Sequence, residues 1–163
     1  MDRLNRLWQR VIDLYPAREP AAKPAQRGTK RGSVDDTTET IRVNFNKPMA
    51  VFPLDSAVLL PQQVIPLHIF EPRYRQMIEH ALDSSGQIAM AVFKGESWKQ
   101  AYHGNPPVRP AVCVGQIVQH EAMPDGRYNI LIQGVCRARI VQEFMPDADR
   151  MYRTAMLEPV GTD

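Results

Sequence analysis

A chain of 163 residues has room for one ordinary domain, or for a domain with a tail. Charged residues are 23% of it and the formal net charge is +2, which excludes a strongly basic nucleic-acid binder and an acidic disordered tail. No apolar run approaches the ~18 residues of a membrane span, and two cysteines without a signal peptide point to free thiols in a reducing, cytoplasmic setting. Fourteen prolines are the anomaly, since about 5% is usual.

In residues 1–16, Leu4, Leu7, Trp8, Val11 and Tyr15 recur at helical spacing, with Arg3, Arg6 and Arg10 elsewhere on the wheel. Pro16 stops this amphipathic helix, whose apolar face suits docking on its own domain or on a partner. Residues 17–39 are rich in Pro, Gly, Ala and charge, with no apolar periodicity, and read as a flexible basic linker. From about Thr40 to the end the pattern is that of a folded block. Ile41, Val43 and Phe45 alternate with Arg42, Asn44 and Asn46, which predicts a short half-buried strand. Two further apolar stretches, Ala50 to Leu54 and Val64 to Phe70, are each interrupted by a proline. Proline lacks a ladder donor, so these strands lie at edges, start at the proline or bulge there.

Pro72 suits a first helical turn. Tyr74, Met77, Ile78, Ala81 and Leu82 then form one apolar stripe, and Ser84-Ser85-Gly86 ends it. Gln87 to Lys94 reads as a strand, and Gly95 to Pro110 as a long loop. Trp98, Tyr102 and His103 in that loop are either recognition aromatics or anchors that pin it to the domain. The last third is strand: Ala111 to Ala122, Arg127 to Gly134, Val135 to Phe144 and about Met151 to Val160. Asp125-Gly126 between apolar runs signals a hairpin, and pairing about it joins residues whose numbers sum to about 250. Cys113 and Cys136 then fall near each other across two strands, as reduced thiols rather than a strained disulfide. Arg137 and Arg139 share one face, either as a solvated surface paired with Glu121 or Glu143, or as phosphate contacts. Met77 and Met90 read as core filling.

No chemistry is signalled. The four histidines lack zinc spacing, and phosphate-loop, dinucleotide and nucleophile-elbow motifs are absent. No catalytic residue, metal or cofactor is therefore expected.

The residues VIPLHIFEPRYRQMIEHAL (Val64 to Leu82), NPPV (Asn105 to Val108) and VGQIVQHEAMPDGRYNILIQGVCRARI (Val114 to Ile140), with VFPL at Val51 to Leu54, resemble the Lon amino-terminal domain family over roughly residues 50–158. IFEPRYR at Ile69 to Arg75 is similar to its bacterial stand-alone members. The resemblance implies a mainly β (α+β) fold, a PUA-like β-barrel with one packed helix over residues 40–163, preceded by the flexible tail. It also implies that Phe70, Tyr74 and the apolar helix face are core, and that Gly115, Asp125-Gly126 and Gly134 are backbone devices. Family members usually continue into a helical segment, so the end at Asp163 implies a truncated or minimal form of the module.

The function implied is non-catalytic recognition of unfolded or specific polypeptide segments, or of a partner protein, on an exposed groove or barrel edge. The loop Gly95 to Pro110 would be its rim, and Trp98, Tyr102, Arg137 and Arg139 are the candidate binding residues. Two alternatives stand beside it. One is RNA binding by those arginines and aromatics, which the near-neutral charge opposes. The other is a fragment of an ATP-dependent Lon-type protease without its ATPase and peptidase domains.

Overall fold

A computed structural model describes residues 41–55, 58–99 and 101–161. The helix expected at 1–16 and the linker expected at 17–39 lie outside the described residues. The chain divides into two units, Met1–Arg42 and Val43–Asp163, and the architecture below is that of the second. Its elements in order are β1 (Met49–Leu54), β2 (Val64–Ile69), α1 (Pro72–Leu82), β3 (Gln87–Val92), β4 (Ala111–Ala122), β5 (Tyr128–Phe144) and β6 (Thr154–Pro159).

The strands form one mainly antiparallel sheet in the order β2-β5-β4-β3-β1-β6, and β6 also pairs with β5. That last ladder closes β1, β3, β4, β5 and β6 into a ring and leaves β2 outside it, attached to β5 alone. β5 makes this possible by its length. Its first half pairs with β2 from Tyr128 to Gln133, and its second half pairs with β6 from Ala138 to Phe144. The two separate strands expected at Arg127–Gly134 and Val135–Phe144 are thus one strand of 17 residues. Gly134 does not interrupt it, because its backbone stays extended while its missing side chain makes room for a neighbour.

The two faces of the ring hold two different cores. Inside lie Met49, Val51, Ala89, Ala91, Val112, Val114, Ala138, Ala155 and Leu157. Four of these nine are alanine, which suits the small bore of a five-stranded ring. Outside, Ile88, Met90, Ile117, Ile130 and Ile132 meet Met77, Ile78, Tyr74 and Ala81 of α1. β3 serves both cores at once, so its sequence QIAMAV is apolar without alternation. Met77 and Met90 are buried as core filling. Burying side chains of this size stabilises by about 1.5–3 kcal/mol each.

The helix forms where the apolar stripe placed it. Pro72 opens it, and the Tyr74 and Arg75 N–H groups donate to the Glu71 carbonyl at 3.0 and 2.9 Å. Gly86, at φ +70°, ends it with an N–H bond of 2.8 Å to the Ala81 carbonyl. The hairpin register is also as expected: partner numbers sum to 250 from Ala111↔Arg139 to Val114↔Cys136, and again from Gln119↔Leu131 to Ala122↔Tyr128. Bulges at Val114/Gly115 and Ile117/Gln119 shift the register by one residue and shift it back. Cys113 therefore opposes Arg137, and Cys136 opposes Val114. The two free thiols face opposite sides of the sheet, Cys113 toward the helix-side core and Cys136 toward the ring core. Burial raises the pKa of both.

Two expectations fail. Residues 41–46 form no strand. The Asn44 side-chain oxygen accepts the Asn46 N–H at 2.9 Å and bends the chain into a turn, while Val43 and Phe45 still pack against the ring core. Phe70 is not core: it is 54% exposed, whereas Tyr74 is buried. Phe70 extends the outward-facing row of β2, where no element among the described residues covers it.

Gly134 is the tightest point of the fold. A Cβ there would lie 2.0 Å from the Leu60 carbonyl oxygen, whereas one at Gly115 would meet the Ile132 side chain at 2.6 Å. Backbone cannot swing aside and a side-chain tip can. Gly134→Ala is expected to destabilise by at least ~3 kcal/mol and Gly115→Ala by about 1–2 kcal/mol, as measured by urea unfolding. Equal losses would show that the Leu60 contact is not limiting.

Candidate functional site

Among the described residues β2 is the open edge of the sheet, and a turn sets how it presents itself. In Leu60–Gln63, Pro61 occupies the second position, Gln62 the third at φ +70°, and the Gln63 N–H donates to the Leu60 carbonyl at 3.0 Å. This is the pattern of a type II turn with glutamine in the place that glycine prefers, a strain of about 1–2 kcal/mol. The Gln63 side-chain oxygen accepts the Leu60 N–H at 3.0 Å and holds the turn shut. Gly134 accepts the Gln62 N–H at 2.7 Å and donates to the Gln63 carbonyl at 2.8 Å.

The Gly134–Gln63 bond fixes the phase of the ladder that follows. Ile65, Leu67 and Ile69 turn their N–H and C=O groups toward β5, so those of Val64, Pro66 and His68 point outward. Pro66 sits where its missing donor leaves no gap in the β5 ladder, as expected for an edge proline. The side chains alternate as well. Ile65, Leu67 and Ile69 face the helix-side core, while Val64, Pro66, His68 and Phe70 line the other face. The His68 ring lies 6.1 Å from that of Phe70 at 27° and bonds through Nδ1 to the Asn129 Oδ1 of β5 at 2.7 Å. With Val58 before the turn and Leu60 at its first position, the apolar ridge residues Val58, Leu60, Val64 and Phe70 are 60%, 49%, 44% and 54% exposed. From Val58 to Phe70, thirteen consecutive residues include no Lys, Arg, Asp or Glu.

The ridge leads into the loop that contains Trp98 and Tyr102. Glu71, next to Phe70, accepts the Tyr102 hydroxyl at 2.5 Å with Oε1 and Arg73 Nε at 2.9 Å with Oε2. Arg73 then donates to the carbonyls of Gly104 at 2.7 Å and Tyr102 at 2.8 Å. A second arginine, Arg153, is buried and donates to the Pro106 carbonyl at 2.8 Å; burial lowers its pKa. Trp98 stacks on Phe93 at 5.2 Å and 7°, and lies 6.4 Å from Tyr102. These two aromatics are brought together as half-buried anchors of the loop. The hydrogen bond to Glu71 holds the proton on Tyr102, with burial adding to it, and its pKa is pushed up to about 12.

Arg137 and Arg139 are not part of this group. They lie on the outer face of the second half of β5, both exposed. Arg139 forms an ion pair with Glu158 of β6, so the expected partners Glu121 and Glu143 are replaced by one from the neighbouring strand. Arg139 and Glu158 are paired in register, which puts their side chains on the same face. Among the described residues, no group of three or more His, Cys, Asp or Glu could hold a metal ion, and no helix is long and apolar enough to cross a membrane. The ridge residues Val58, Leu60, Val64 and Phe70 escape a motif search, because their only signature is a long uncharged stretch that resembles core.

Comparison with known proteins shows the family to which this fold belongs. The ATP-dependent protease La (LON) substrate-binding domain matches residues 48–163. The chain belongs to this family. It is 32% identical to the Lon protease of Escherichia coli K12 over 93 residues, which is 55% of this chain and 11% of that protein. The Lon protease of Desulfovibrio desulfuricans is 31% identical over 59% of the chain and 11% of its own length. The chain thus spans about a tenth of these Lon relatives. Among solved structures, the amino-terminal domain of a Mycobacterium avium complex Lon protease superposes with a TM-score of 0.54 at 18% identity, covering 72% of this chain and 56% of that one. A Lon N-terminal domain protein from Xanthomonas campestris gives 0.54 at 22% identity, covering 72% and 63%. Both likenesses carry the fold alone.

Arg73 is the latch between the helix and the loop. Arg73→Ala removes three hydrogen bonds, and limited proteolysis is expected to cut within residues 95–110 several-fold faster while the rest of the domain stays protected. The Glu71→Gln variant is expected to bring the Tyr102 phenol back toward the ordinary tyrosine range in a spectrophotometric titration. In the unaltered domain the unfolded chain loses this proton near pH 10 and the folded one near 12, so stability present below pH 10 declines between those values.

Proposed function

We propose that this Lon-family domain recognises unfolded or extended polypeptide on the apolar ridge of β2, with the Trp98–Tyr102 loop as its rim, and that it works without chemistry of its own as a cytoplasmic adaptor or substrate-recognition module. The observation that carries the reading is the thirteen-residue uncharged stretch, whose apolar residues Val58, Leu60, Val64 and Phe70 stand exposed beside a strand that is unpaired on one side among the described residues. A folded monomer rarely leaves such a row uncovered without use. The family match supports it, since the domain of Lon proteases that this chain resembles binds substrate. ATP hydrolysis and peptide cleavage would belong to other domains or other chains.

RNA binding is the weaker reading. Phosphate recognition needs free cations. Arg139 is paired with Glu158, and Arg73 and Arg153 are committed to loop carbonyls.

The test is fluorescence anisotropy with a labelled, permanently unfolded polypeptide. Saturable binding is expected, with little change between low and moderate salt, because apolar contact is not screened. Val64→Ser combined with Phe70→Ser, both at exposed positions, is expected to weaken it about tenfold, in keeping with a loss of ~1.4 kcal/mol. Binding that is unaffected by this double change, with the fold intact by circular dichroism, would remove the ridge from consideration.

A further inference from the structure

Arg153 is a buried cation without a carboxylate beside it. It stands just before β6, where its carbonyl accepts the Val51 N–H at 3.0 Å and so fixes its backbone. The residue is 4% exposed. Among the described residues its guanidinium makes one hydrogen bond, from Nη1 to the Pro106 carbonyl at 2.8 Å, although its planar fork carries several more donors. The ion pairs among those residues are Arg73–Glu71, Arg127–Asp125 and Arg139–Glu158, so Arg153 has no part in them. Burying a guanidinium is costly and is ordinarily offset by a carboxylate.

The neighbours leave the charge unbalanced. Arg73 is a second cation close by, and Tyr74 lies within the fields of both. Glu71 neutralises Arg73 at 2.9 Å and holds the Tyr102 hydroxyl with its other oxygen. Glu143 favours the charged form of Arg153 from beyond ion-pair distance, and water screens it because it is exposed. The cluster of Arg73, Glu71 and Arg153 therefore holds two positive charges and one negative.

We infer that Arg153 is a carboxylate-binding site, that residues 102–107 are the lid over it, and that its ligand is the free carboxylate of a peptide, which replaces the Pro106 carbonyl on the guanidinium. The inference does not depend on the ridge of β2. A carbonyl brings no charge to the fork, whereas a carboxylate accepts two of its N–H groups at once and supplies the missing negative charge. A single negative charge brings the cluster to neutrality, and a second would face Glu71. The lid is fastened to the arginines only through neutral acceptors, the carbonyls of Tyr102 and Gly104 on Arg73 and that of Pro106 on Arg153. A charged acceptor can displace the last of these. Beyond it the chain is anchored, because the Pro107 carbonyl accepts the Lys94 N–H at 2.8 Å and the Arg109 N–H donates to the Val92 carbonyl at 2.8 Å.

The experiment titrates the full chain with acetyl-alanyl-alanine bearing a free carboxylate, with the same dipeptide as its amide, and with inorganic phosphate as its dianion, all at one ionic strength. Binding is read from the NMR shifts of the backbone amides of residues 102–105, and opening from the rate of proteolytic cutting within the lid. The free carboxylate is expected to shift these amides saturably and to speed cutting by about threefold, with the amide and phosphate at least about fivefold weaker. Arg153→Gln keeps a donor for Pro106 but removes the charge, and is expected to weaken carboxylate binding by about tenfold. Tyr102→Phe frees the lid from Glu71 and leaves both cations in place. It is expected to bind the carboxylate about threefold more tightly, because more of the population is already open; an arginine that only fastens the loop gives no such gain. The inference is overturned if the carboxylate does not bind, if the amide or phosphate binds as tightly, or if Arg153→Gln, folded by circular dichroism, binds unchanged. Should Arg153→Gln fail to fold, Tyr102→Phe decides, and an affinity equal to that of the unaltered protein overturns the inference.

Discussion

Two strands claim the same edge of β5, and the fold depends on how that edge is shared. β4 occupies one side of β5 along most of its length. On the other side, β2 pairs with the first half and β6 with the second. The handover falls at Gly134, where the chain entering β2 comes so close that the Leu60 carbonyl fills the space of a side chain. Without that approach the Leu60–Gln63 turn could not lock onto β5. β2 would then have no defined start, and the phase of its outward groups would be lost. The open edge is thus a consequence of one contact between backbones.

Closure imposes the second pattern, a division of side chains by size. The ring interior takes alanines and valines, and the bulk of β3, β4 and β5 is turned outward under α1. The helix is therefore central to more than packing. Its first turn carries Arg73, which ties down the loop after β3. One turn on, the Gln76 side chain accepts the Met151 N–H at 2.7 Å, and His80 Nδ1 bonds the Tyr152 hydroxyl at 2.7 Å. Loops from two distant parts of the chain are thus fastened to one short element.

Much of this was legible in the residues. The helix follows from its stripe and its two punctuating residues, and the Asp125-Gly126 hairpin predicts the β4–β5 register to within a residue, because paired bulges cancel. Pro66 also reads correctly as an edge proline, whereas Pro53 lies inside β1, a strand flanked by β3 and β6. The failures share a cause. Ile41 to Asn46 alternates like a strand, yet an asparagine side chain competes for the backbone. Phe70 is expected in the core from the family resemblance, and a shared pattern says which residues share a face and not whether anything covers that face. The exposed ridge was hidden for the same reason: an uncharged strand buried on one side reads like one buried on both. Trp98 and Tyr102 were identified, but their fastening to Glu71 and Arg73 depends on a meeting of segments some thirty residues apart.

The order in which the strands occur along the chain adds a consequence for biosynthesis. β6, the last strand, is the one that pairs with both β1 and β5. Until residues 154–159 are made, the remaining strands can form only an open sheet, with its alanine-lined inner face turned to water and two unpaired margins rather than one. A nascent chain thus passes through a stage in which apolar strand faces stand open to wrong partners, and it leaves that stage only when β6 is added.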